Sequence, residues 1–227
     1  MPSSNMISRS IWLTNEGSSQ VLQGKYLDAI QLFYQALQCC KKNLQDAERH
    51  ITVCKDKSLI DELLIGQHED AFCSEESNDG GDFVYRSPIV IQAQFPLLVQ
   101  DFDFEVVMSI IIVFNLALAY HLAALECDSP GLLLRKSVKL YQLALTLQSE
   151  GACAEEIAIF SLVISNNLGY AYKVLEEDEL ANRCFQRLLA GLMLIVDSRR
   201  KQKTPIVVEF FKNASQLMFG DGAAAAA

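Results

Sequence analysis

The sequence predicts an all-α protein, and three observations carry the prediction. Glycine (11) and proline (5) are scarce among 227 residues while leucine and alanine abound, which disfavours many short strands joined by tight turns. One asparagine-led spacing recurs three times along the chain. Val106–Leu125 is a run of 20 residues without a charge, the pattern of a helix buried on most sides. Charge narrows the function: Lys plus Arg total 19 against 28 Asp plus Glu, a net of −9. Such a chain is poorly suited to neutralising nucleic-acid phosphates or to docking on an anionic membrane, so no nucleic-acid partner is expected.

The recurring spacing is specific. Asn15-Glu16-Gly17 is followed by Gly24, Tyr26, Ala29, Phe33 and Ala36, and Asn167-Leu168-Gly169 by Tyr172, Ala181, Phe185 and Leu188. Asparagine to alanine is 14 residues in both, and alanine to aromatic is four. In the middle stretch Asn115-Leu116-Ala117 and Tyr120 lead to Ser137, Tyr141 and Ala144 after a first gap of 22, eight longer. The extra residues are expected to loop out within Leu125–Arg135, around Ser129-Pro130-Gly131.

These motifs resemble the tetratricopeptide repeat, a 34-residue helix–turn–helix unit with an L-G-x2-Y and A-x3-F pattern. The resemblance covers about 105 of the 227 residues and implies an antiparallel helix-pair solenoid. Gly17, Ala117 and Gly169 are then small where the first helix of each pair nears the second, with Ala29 and Ala181 opposite. Phe33, Tyr141 and Phe185 fill the gap to the next pair, and Gly24 breaks the chain between the helices of the first. The repeats depart from the family in lacking its closing proline, in Glu16 where leucine is usual and in Ser137 where alanine is usual.

In chain order, residues 1–8 are expected to be a flexible N-terminus ahead of a single helical-repeat domain over 9–219. Repeat one occupies about 10–43, and its second helix is expected to run on through Leu44, Ala47 and Ile51. Because Asn15 and Asn115 lie 100 residues apart where 34 would suffice, an insertion fills about 44–105. Within it, Leu59–Ile65 suggests further helix, and 67–82 is a polar, acidic loop around Gly80-Gly81. Phe83–Gln94 is different: Phe83-Val84-Tyr85 and Ile89-Val90-Ile91 flank Arg86-Ser87-Pro88, predicting a short extended segment or a hairpin, an inserted loop or short β segment docked on the helices. Repeat two covers about 106–150 and repeat three about 157–197.

A polar break with Arg199-Arg200-Lys201-Gln202-Lys203 follows; a basic run suits the negative end of a helix, and nuclear import is the alternative reading. Thr204-Pro205 opens a C-terminal capping helix over 205–219, in which Val207, Phe210, Phe211, Ala214, Leu217 and Met218 form one apolar face. Residues 220–227 are a flexible tail.

The sequence points to no catalytic chemistry. G-x-S-x-G, H-E-x-x-H, G-x-x-x-x-G-K and G-x-G-x-x-G are all missing, and His50, His68 and His121 are scattered. Asp101-x-Asp103-x-Glu105 starts like a calcium loop, but Val106 and Ile112 stand where glycine and glutamate are required. The seven cysteines form no C-x-x-C pair, and Cys184 beside Arg183 reads as a packed thiol rather than a nucleophile. With no basic start and apolar core at Met1–Ser10, reduced thiols in a cytoplasmic protein, or a nuclear one, are expected. No enzyme activity, cofactor or metal is expected. Val106–Leu125 is long enough to cross a membrane, but Asn115, Tyr120, His121 and flanking acids argue against a span.

The family resemblance implies a non-catalytic scaffold that binds a partner's peptide or helix on the concave face formed by the first helix of each pair. By register that face would carry Ile11, Thr14 and Ser18; Phe114, Leu118 and His121; and Asn166, Tyr170 and Lys173. The alternative is that these residues pack against the chain's own insertion. Of the clamp by which chaperone-binding members hold a C-terminal carboxylate only Asn115 fits; Thr14, Ser18, Val163 and Asn167 stand at the other positions and the positive charge is missing, which disfavours that ligand. A helical enzyme or ligand-binding domain without a recognisable motif is the competing class.

Overall fold

The computed structural model describes residues 3–47, 84–92, 101–149 and 159–198, together with Phe210 and Ala214. Among these are six helices: α1 (Ser3–Leu22), α2 (Tyr26–Ala47), α3 (Asp101–Leu125), α4 (Gly131–Ser149), α5 (Ile159–Val174) and α6 (Asp178–Ser198). They fall into two compact units, one with α1–α4 and residues 86–92, the other with α5, α6, Val84, Tyr85, Phe210 and Ala214. In the first unit α1 packs on α2, α2 on α3 and α3 on α4; in the second α5 packs on α6. The described fold is all-α, with helices packed in neighbouring pairs. The acidic loop 67–82 and the basic run 199–203 lie outside the described residues, as does the capping helix apart from Phe210 and Ala214, which are helical and buried.

Helical periodicity explains each pair. On α2 the buried side chains include Ala29, Ile30, Phe33, Ala36, Cys39 and Cys40, and on α6 Ala181, Phe185, Leu188 and Leu192, spaced so that one stripe faces the partner helix. The small residues let that stripe come close. A β-carbon added to Gly17 would lie 2.6 Å from Cε1 of Phe33, and one added to Gly169 would lie 2.3 Å from Cε1 of Phe185. Each phenylalanine ring therefore sits on the glycine of its own pair.

The turns match as well. Gly24 and Glu176 each stand nine residues beyond the asparagine that opens their repeat. Gly24, at φ +75°, and Glu176, at φ +58°, are both left-handed. Lys25 donates its N–H to the Gln20 carbonyl and Gly24 to that of Val21; Glu177 and Glu176 donate likewise to Tyr172 and Lys173. Both helices thus close with the six-to-one and five-to-two bonds of a Schellman cap. Glycine takes this conformation without strain, whereas glutamate brings its Cβ toward the following carbonyl. Glu176→Gly is accordingly expected to stabilise by about 1 kcal/mol and Gly24→Ala to destabilise by about as much, as urea titrations will show.

The middle pair corrects one expectation. Its extra eight residues do not loop out: relative to the first pair, three lengthen α3 beyond its asparagine, two lengthen the turn and three lengthen the start of α4. Extending helices satisfies backbone groups that a longer loop would leave to solvent. Ser137, at the crossing where alanine is usual, is fully buried because its Oγ donates to the Ala117 carbonyl at 2.9 Å. The inserted β segment is also not seen: residues 84–92 belong to no helix or strand, and Phe83, Ala93 and Gln94 lie outside the described residues.

Val106–Leu125 is the one helix among the described residues long and apolar enough to cross a membrane, and 94% of its most apolar window is buried within the protein. Its junction with α2 is partly polar: Tyr34 and Tyr120 hydroxyls lie 3.2 Å apart with their rings edge-to-face, and Lys136 of α4 sits over the Tyr120 ring. Burial first, and then the Tyr34 hydroxyl, push the Tyr120 phenol well above its ordinary range, so it stays protonated.

Candidate functional site

Three asparagines bind the backbone of the extended segment in the same way. Within the first unit, Asn15 of α1 accepts the Ile91 N–H on Oδ1 and donates Nδ2 to the Ile91 carbonyl, both at 2.8 Å. Asn115 of α3 does the same for Ile89, again at 2.8 Å twice. Within the second unit, Asn167 of α5 takes Tyr85 with two bonds of 3.0 Å. These are the residues that lead the three repeats. The donor must face each carbonyl and the acceptor each N–H, so the two-bond pattern fixes the orientation of every amide.

This arrangement explains the missing strand. A side-chain amide offers the same donor–acceptor pair as the peptide group of a neighbouring strand, so the asparagines satisfy the backbone that a hairpin partner would otherwise serve. Ile89 and Ile91 share one side of the extended chain, as alternate residues do, and both are buried, while Val90 is half-buried and Gln92 exposed. Pro88 suits the same conformation: it holds its predecessor extended and has no N–H to satisfy.

Neighbours hold the clamps in place. Ser18 Oγ accepts from Nδ2 of Asn115 at 3.2 Å and donates to the Ile89 carbonyl at 3.2 Å, so Asn115 uses both its amide protons. In the second unit Asn166 donates to Oδ1 of Asn167 at 3.1 Å. Asn115, Asn166, Asn167 and Ser18 are all completely buried. An amide placed there is costly unless hydrogen-bonded, and a helix interior gives asparagine no advantage of its own.

The residues expected to line a binding face divide around these clamps. Ser18 touches both a clamp and the segment, and Asn166 touches a clamp. Thr14 is buried with Oγ1 turned back to the Ser10 carbonyl at 2.7 Å. Phe114 and His121 both pack on the Tyr141 ring, at centroid distances of 6.0 and 6.1 Å, and Leu118 is buried on the same helix. Tyr170 is half-buried and Lys173 exposed near the end of α5. Sequence reasoning missed Asn15, Asn115 and Asn167 as binding residues. The available signal was one polar residue at the same place in three repeats, once inside a 20-residue uncharged run.

His121 carries the site's strongest titration. Burial, and secondarily the Arg86 cation, lower its pKa to about 3. Its folded value lies below the unfolded one of about 6.5, so the unfolded chain takes up the proton first. The stabilisation is complete above that value and declines as pH falls toward 3. Roughly 1 kcal/mol should be lost by pH 5.5, a loss missing from His121→Phe when the two are compared by urea unfolding at pH 7.5 and 5.5. Cys184 behaves oppositely: burial pushes its thiol up to about 11, against the pull of Arg187. Alkylation followed by peptide mapping should therefore label exposed Cys127 well before Cys184.

Among the described residues no three His, Cys, Asp or Glu side chains gather to hold a metal. An open depression of about 470 Å³ on α1 and α2 is lined by Gln20, Lys25, Asp28, Gln31, Leu32 and Gln35. Among the described residues, the fold is one of paired helices in which Asn15 and Asn115 of the first unit, and Asn167 of the second, each hold the backbone of one residue outside the helices. No family model, curated protein or solved structure matches this sequence.

Proposed function

We propose that the chain is a non-catalytic, tetratricopeptide-like scaffold that recruits another protein by holding an extended peptide on the first helices of the pairs in the first unit, α1 and α3. The observation that supports this reading is the pair of hydrogen bonds from Asn115 to both backbone groups of Ile89. Backbone recognition of this kind is indifferent to side chains, so the surrounding apolar positions supply the selectivity, as they do when a peptide adds to a sheet edge. The first and third repeats support the family assignment in detail, since they share the clamp, the glycine under phenylalanine and the left-handed cap at identical spacing. A cytoplasmic or nuclear site of action goes with this reading.

Selection of a random peptide display library on the full-length protein tests it. The expected winners are extended peptides with aliphatic residues two apart, whose binding falls at least tenfold in Asn15→Ala. Failure to enrich any peptide, or enrichment unaffected by Asn15→Ala, would contradict the reading.

A further inference from the structure

Within the first unit the asparagine-lined surface is already filled by the chain's own residues 86–92. We propose that this segment is a built-in competitor: it occupies the surface that a partner peptide takes, and the partner is an extended segment of the form proline–aliphatic–any–aliphatic that displaces it. The inference rests on the scaffold reading above and adds both the ligand chemistry and its regulation.

Four features carry it. The segment is extended and belongs to no helix or strand, so its removal breaks no secondary-structure ladder. It is held by groups that read peptide backbone, namely Asn15, Asn115 and Ser18, and these would serve any extended chain equally. Its side chains supply the template for the partner: Pro88, Ile89 and Ile91 are buried, whereas Arg86 and Gln92 are exposed. Finally, it belongs to the same chain, between α2 and α3, so it competes intramolecularly with any free peptide. A tethered ligand acts at a local concentration of about millimolar, which weakens a free competitor without abolishing it.

The test uses the full chain and a fluorescein-labelled synthetic peptide reproducing residues 86–92. Ile91→Pro removes the N–H that Asn15 accepts, and the double variant Ile89→Pro/Ile91→Pro also removes the one that Asn115 accepts. Fluorescence anisotropy should show the peptide binding the double variant at least tenfold more tightly than the wild type, and bound peptide should restore part of the variant's lost melting temperature. Ile91→Pro alone should give the same order if the double variant does not fold. Equal binding to wild type and variant would overturn the competitor while leaving peptide binding intact. No binding to a variant of native helicity would overturn both the competitor and the scaffold reading. A peptide-sensitive dimer on size-exclusion chromatography would overturn the inference by making a second copy of the chain the occupant.

Discussion

Asn115→Ala is expected to lower the stability of the protein by about 3 kcal/mol, the largest effect of any single polar substitution considered. The mutation deletes two good hydrogen bonds to Ile89 and one to Ser18, each contributing about 1 kcal/mol. It also leaves the Ile89 N–H, at a residue with no exposed surface, without the acceptor that replaced water. The Ile89 carbonyl fares better, because Ser18 still donates to it. Asn115→Asp should be at least as damaging, since the acid keeps the acceptor for the N–H but turns an oxygen toward the carbonyl and the Ser18 hydroxyl. Urea unfolding followed by far-UV circular dichroism measures both. A loss below about 1 kcal/mol for Asn115→Ala would mean that the clamp is not formed in solution.

Gly169→Ala is expected to destabilise by about 2 kcal/mol even though alanine is the better helix former. The added carbon would lie 2.3 and 2.4 Å from the edge of the Phe185 ring, closer than real contacts come. That ring is 1% exposed and cannot swing into solvent. The helices must separate or the ring must leave its preferred rotamer, and a well-packed core gives up about 1–3 kcal/mol for either. Two comparisons isolate the cause. Gly131→Ala, at the start of α4 with nothing within 4 Å, should be neutral or slightly stabilising. Phe185→Leu in the Gly169→Ala background should recover part of the loss, giving a favourable coupling energy in the double-mutant cycle.

These two sites also mark how far the sequence could be read. The pairing of helices was legible because glycine and phenylalanine recur at fixed spacing, and steric fit between backbone and ring leaves few substitutes at such a crossing. Gly24 was legible for the same reason, as a residue that tolerates a left-handed turn. Its counterpart Glu176 was not, because glutamate has no preference for that conformation and the requirement shows only in the backbone. The length of the middle pair was misjudged, because Ser129-Pro130-Gly131 reads as a broad loop although it closes a short turn.

The candidate site was half legible. Ser18 and Asn166 were found by helical register, one turn or less from the true clamps. The asparagines served as markers of the repeat but not as ligands, because a lone amide in a helix carries no local sign of its partner. Here the partner lies 76 residues away from Asn15, 26 from Asn115 and 82 from Asn167. The β-branched residues around Ile89 were recognised as extended, and what replaced the expected strand partner was a set of side chains drawn from separate helices. Long-range satisfaction of one backbone by another element's amides has no periodic signature.

Native-state hydrogen exchange by NMR reads the asparagine clamps amide by amide. The amides of Tyr85, Ile89 and Ile91 lie outside any helix or strand, yet each is donated to a buried or part-buried asparagine oxygen. They are predicted to exchange at least a hundredfold more slowly than amides of an unstructured peptide, with the protection of Ile89 lost in Asn115→Ala and that of Ile91 lost in Asn15→Ala. Exchange of these three amides at the rates of an unstructured peptide in the wild-type protein would mean that the asparagine clamps do not form in solution.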